Sequence, residues 1–72
     1  MSRVNLTERE MLVMQYLADG LSNEEISDIL HISVHTTKAH LESIYEKLNV
    51  HNRVQAVIKA VKLELININE VA

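Results

Sequence analysis

Seventy-two residues with 47% hydrophobic content and no Cys describe one small domain, near the size where a single core barely suffices, with no disulfide framework and no thiolate metal site. No apolar run approaches a membrane span, and no basic stretch followed by an apolar one opens the chain, so a soluble, cytoplasmic domain without a membrane partner is expected. The net charge of −3 hides an asymmetry: residues 1–30 set Arg3 and Arg9 against six acids, whereas residues 31–62 set five cations against Glu42 and Glu46, with all four His residues among them. That favours an anion meeting the middle of the chain.

In chain order, residues 1–5 read as a loose lead-in. Thr7 with Glu10 forms a capping box and Leu6 with Met11 a hydrophobic staple, so a first helix begins at Thr7. Its stripe is Met11, Val13, Met14 and Leu17, flanked by Tyr16 and Ala18. Gly20, the only Gly, suits a left-handed position just past its end. Ser22 with Glu25 and Leu21 with Ile26 repeat box and staple at once, starting a short second helix with Ile26, Ile29 and Leu30 on its buried side and Asn23, Glu24 and Asp28 on its wet side. The pattern breaks at His31, and Ser33 offers a third N-cap, leaving about three residues between the helices. That is helix-turn-helix spacing.

The third helix, over about 33–48, carries the functional reading. Val34, Thr37, Leu41, Ile44, Tyr45 and Leu48 form its inward stripe at spacings of three and four. The opposite side holds His35, Thr36, Lys38, Ala39, Glu42 and Ser43, a short polar surface of the kind that the major groove of B-DNA admits. The box and staple both fail at its start, because Thr36 stands where an acid would close the box and Thr37 where the staple would land. Two explanations stay open: amides and dipole left free for an outside anion, or a weaker cap. The amides following Ser22, with Asn23, offer a further phosphate contact.

Asn49 ends the third helix and a fourth is expected from about Asn52 to Leu65. Val54, Val57, Ile58, Val61 and Leu65 share one face, expected to serve the core. Ala56, Ala60 and Leu63 lie roughly opposite and are expected to meet a partner, a second copy of the chain. Residues 66–72 receive no element and are expected to be a flexible end. The fold class is therefore all-α: one four-helix domain over 1–72 with a central helix-turn-helix.

From Leu6 to about Leu65 the sequence resembles the C-terminal DNA-binding domain of LuxR/NarL/FixJ-type bacterial transcription regulators. The resemblance rests on LTERE at 6–10, Gly20 with LSNEEIS at 21–27, LHIS at 30–33, TTKAH at 36–40, KLNV at 47–50, and Arg53 with Ala56 and Val57. Two departures stand out: Thr37 where the family usually has Val, which loosens a core contact, and Asn49 where it often has Gly, with Asn the next best residue for a left-handed turn. The resemblance implies a third helix that reads the major groove of double-stranded DNA and a fourth that pairs two domains on a two-part site. It implies base-edge roles for His35, Lys38, Ala39 and Glu42, and phosphate roles for Thr36, His40 and Lys47. In most relatives such a domain follows a receiver or signal-binding domain, and the sequence leaves open whether this one stands alone.

Other function classes fare worse. His31, His35 and His40 lack a thiolate companion and straddle a helix start, so no metal and no cofactor is expected. Scattered Ser and His on so small a chain make no enclosed catalytic pocket, so no enzyme is expected. The remaining alternative is a helical protein-interaction module of the same fold, docking for example on RNA polymerase, because the acidic first half repels DNA.

Overall fold

The computed structural model describes residues 4–66, which form four helices: α1 (Glu8–Ala18), α2 (Asn23–Leu30), α3 (Val34–Leu48) and α4 (Arg53–Lys62). The starts follow from local chemistry. Thr7 Oγ1 accepts from the Glu10 amide at 3.1 Å while Glu10 Oε1 accepts from the Thr7 amide at 2.9 Å. Ser22 and Glu25 make the same reciprocal pair at 3.1 and 2.8 Å. Each box satisfies amides that a helix start leaves without an acceptor. A further cap lies at α4, where Asn52 Oδ1 accepts from the Gln55 amide at 2.9 Å and Gln55 Oε1 accepts from the His51 amide at 2.9 Å.

The ends share one device. After α1, the amides of Gly20 and Leu21 donate back to the carbonyls of Leu17 and Tyr16. That paired closure needs a left-handed residue, and Gly20 supplies it at φ 90°. The same closure recurs with His31, Asn49 and Glu64 in the left-handed position, at φ 58°, 58° and 59°. The left-handed turn expected of Asn49 is present; those at His31 and Glu64 carry no sequence signal, since neither is Gly or Asn.

α3 lies between the other helices, packed on α1, α2 and α4, and α1 also contacts α2 and α4. The core is built from Val13, Met14 and Leu17 of α1, Ile26 of α2, Leu41, Ile44 and Leu48 of α3, Ala56 and Ala60 of α4, and Ile66 beyond it. Three expectations are corrected. Ile29 is 47% exposed while Ser27 is buried, because α2 turns its Ile26 and Ser27 side toward α3. The fourth helix ends at Lys62, three residues short of the expected Leu65, and it is turned about its axis relative to the reading from sequence. Ile66, assigned to a flexible end, is buried in the core, and Val4 of the expected loose lead-in packs half-buried against it. The rest of those expected flexible ends, residues 1–3 and 67–72, lies outside the described residues.

Candidate nucleic-acid interface

α3 separates its faces cleanly. Thr37, Leu41, Ile44 and Leu48 are buried, whereas His35, Lys38, Ala39 and Glu42 are all exposed and share one side. All four residues expected at base edges are thus brought together on a single outward surface. Thr36 and His40, expected on phosphates, are half-buried along its flank. At the start of α3, Ser33 Oγ accepts from the Thr36 amide at 3.0 Å and lies 2.9 Å from Thr36 Oγ1. With no acid in the first turn, the positive end of the helix keeps its dipole unneutralised.

The turn preceding α3 is held by a buried chain of hydroxyls. Ser27 Oγ donates to the Asn23 carbonyl at 2.7 Å and lies 2.7 Å from Thr37 Oγ1, so with its single proton committed it accepts the Thr37 proton. The expectation that Thr37 loosens a core contact is corrected: its hydroxyl spends its donor on α2, locking the two helices of the motif together at a site with no exposure. Arg53 extends this bracing from α4, donating to the Leu21 carbonyl at 2.9 Å and to Asn23 Oδ1 at 3.4 Å. Asn23 therefore has its carbonyl oxygen occupied and its amide nitrogen left as the group that can donate outward.

Lys47, also expected on a phosphate, has its ammonium 2.7 Å from Glu10 Oε1. The opposite carboxylate oxygen accepts from Ser43 Oγ at 2.6 Å. Burial alone would raise the Glu10 pKa; hydrogen bonds from Lys47, Ser43 and the Thr7 amide, with the charge of Lys47, outweigh it and hold the carboxyl at about 2. One side chain thus closes the α1 cap and ties α1 to the flank of α3. Sequence reading found the capping role of Glu10 but not this second one, which joins residues more than thirty positions apart.

The expected partner face of α4 is corrected. Ala56 and Ala60 have no exposure and serve the core, because α4 packs closely on α1 and α3 where only small side chains fit. Leu63, the third residue of that expected patch, is 42% exposed at the C-cap of α4. The outward apolar face is instead Val54, Ile58 and Val61, at 65%, 50% and 38% exposure. The signal that could have found it is the pair of Ala at i and i+4, since small residues at that spacing mark close helix approach.

Among the described residues no group of His, Asp or Glu is placed to hold a metal ion, and no helix is long and apolar enough to cross a membrane. A family model described as bacterial regulatory proteins, luxR family, matches residues 4–60. The response regulator protein VraR of Staphylococcus aureus is 48% identical over 61 residues, and the chain spans 29% of the length of that relative while 85% of the chain is covered. Among solved structures, the response regulator ChrA of a heme-sensing two-component system is similar at a TM-score of 0.85 and 42% identity, over 92% of this chain and 33% of that one. The transcription factor GerE matches at 0.83 and 33%, over 89% and 96%. The DNA-binding domain of the response regulator ComA, solved in complex with the anti-activator RapF, matches at 0.78 and 44%, over 79% and 98%.

Proposed function

Since the chain belongs to the luxR family of bacterial regulatory proteins, we propose that it binds double-stranded DNA sequence-specifically as the output domain of a transcription regulator of the response-regulator kind. The observation that carries this reading is the outward face of α3, where His35, Lys38, Ala39 and Glu42 stand together on a helix whose other side buries Thr37, Leu41, Ile44 and Leu48. In this reading α3 enters the major groove. Lys38 offers a flexible cation to a guanine edge, Ala39 a methyl to thymine, and His35 and Glu42 a donor and an acceptor at neighbouring base pairs. Thr36, His40 and the Asn23 amide meet phosphates and fix the register.

Two such domains pair through α4 in the same proposal, with Val54, Ile58 and Val61 as the contact in place of Ala56 and Ala60. A two-fold pair then sets two reading helices about one helical turn of DNA, ~34 Å, or a multiple of it apart. Protein partners enter as a second reading, favoured by the ComA domain having been solved on an anti-activator protein. Selection of bound fragments from random duplexes, followed by titration with salt, tests the main reading. It expects one enriched motif and a steep fall in affinity with rising salt. Retention of no duplex at low salt overturns it.

A further inference from the structure

Four side chains run along one flank of α3 beside its outward face: Thr36, His40, Ser43 and Lys47, at successive helical steps of four, three and four. A strip in that position borders the groove-facing surface, where phosphates lie in the DNA-binding reading on which this inference rests. Lys47 differs from its neighbours on the strip. It is 36% exposed, and its ammonium is already bound at 2.7 Å to a carboxylate that is itself only 7% exposed. From these placements we infer that Glu10 is a specificity-determining residue that withholds the Lys47 cation from the phosphate backbone.

The physical case begins with geometry. Glu10 cannot turn away from Lys47, because the Thr7 amide and Ser43 hydroxyl hold its two oxygens at 2.9 and 2.6 Å. A rigid, mostly dry acceptor keeps its cation better than a mobile surface acid does, since opening the pair would leave a buried charge without a partner. The carboxyl stays ionised throughout the neutral range, so the pairing persists wherever DNA is bound. A cation meeting phosphate strengthens binding to every sequence alike. Masking Lys47 therefore lowers the non-specific background and leaves the base-reading contacts of α3 untouched, which raises the ratio of specific to random binding.

The test measures how affinity for a random-sequence duplex depends on salt, by fluorescence anisotropy, in the parent chain, Glu10→Gln, Lys47→Met and the double variant. Gln at position 10 keeps one oxygen to accept from the Thr7 amide and turns its NH2 to donate to the Ser43 hydroxyl, and it removes the charge that binds the ammonium. Glu10→Gln should bind random duplex more tightly at low salt, with a log–log slope steeper by about 0.9, equivalent to a further ~3- to 4-fold loss between 50 and 200 mM salt. The double variant should return to the slope of the parent, and Lys47→Met should match it as well. A slope shallower by about one in Lys47→Met or the double variant shows that Lys47 meets phosphate despite Glu10, and overturns the inference. An unchanged slope in a folded Glu10→Gln overturns it too, since the freed cation then reaches no DNA. If Glu10→Gln does not fold, parent against Lys47→Met still exposes the inference to refutation, since a shallower slope in Lys47→Met overturns it. A parent that binds no duplex removes the DNA-binding reading itself, which is a different failure.

Discussion

Ser27 of α2 and Thr37 of α3 place their hydroxyl oxygens 2.7 Å apart in the interior of the helix-turn-helix, and the proton order runs from Thr37 to Ser27 to the Asn23 carbonyl. Thr37→Val keeps the shape and removes the first donor, so it should lower stability by about 1 kcal/mol. Ser27→Ala/Thr37→Val should lose less than the two single changes added together, by roughly 1 kcal/mol, because removing both partners leaves no buried hydroxyl unmatched. Denaturant titrations of the four proteins give the coupling directly. Strict additivity would show that the pair is incidental to holding α2 on α3.

Glu10 makes stability depend on pH in a defined window. Its carboxyl is held at about 2 in the folded chain against an ordinary value of 4.5. A group with a lowered folded pKa contributes stability that is complete above its unfolded value and is lost as pH falls toward the folded one. The contribution should therefore be full at neutral pH and disappear between about pH 4.5 and 2. It amounts to on the order of 2 to 3 kcal/mol, an upper range because the Lys47 end of the pair is partly solvated. Glu10→Gln should flatten that part of the profile in thermal melts. An acid limb that keeps its steepness in the variant would place the effect on other carboxylates.

Arg53 joins α4 to the turn between α1 and α2 through the Leu21 carbonyl and Asn23 Oδ1. Arg53→Met keeps most of the aliphatic stem and loses both donors, and should cost about 1.5 to 3 kcal/mol. Because the same guanidinium orients Asn23, the variant should also weaken DNA binding at temperatures where it remains folded. Full affinity in a folded Arg53→Met would mean that Asn23 orients itself.

The two faces of α4 should respond oppositely to the same substitution. Ala60→Glu buries a charge in a site with no exposure and should unfold the domain. Ile58→Glu stands half in solvent and should leave the melting curve of the isolated domain nearly unchanged, while weakening binding to a two-part duplex far more than to a half-site. Equal losses on the two duplexes would exclude pairing through this face.

Local chemistry explains which parts of the molecule could be foreseen. Thr7, Ser22 and Ser33 announce helix starts because a cap acts over three residues, and Gly20 announces a stop because few residues accept its backbone conformation. The outward set on α3 was legible for a similar reason, since its buried stripe leaves only one side. The orientation of α4 is not legible in the same way, because two apolar faces compete on a ten-residue helix, and size favours Val and Ile for a core that closeness of approach gives to Ala56 and Ala60. The ties from Glu10 to Ser43 and Lys47, and from Ser27 to Thr37, depend on how helices meet, so no window along the chain contains them.

Glu42 sharpens what the outward face of α3 does. It lies one helical turn beyond Lys38, and both are exposed, yet the ion pair found among the described residues is that of Lys47 with Glu10, not one between these two. Lys preceding Glu at this spacing is the less favourable order, and such a pair would contribute no more than ~0.5 kcal/mol. If this surface meets DNA as proposed, two roles remain for an unpaired acid on it. As a reader, Glu42 accepts from a cytosine amino group, and its loss removes roughly 1 to 3 kcal/mol of discrimination at one base pair. As a repelling charge near phosphates, it lowers affinity on every sequence. Glu46, exposed one turn further along α3, adds to the same negative edge and favours the second role, in which a single domain binds weakly and two domains together bind well. Glu42→Gln should then tighten binding to specific and random duplexes by similar factors, measured side by side at fixed salt. Weakening confined to sites that carry one particular cytosine would make Glu42 a reader instead.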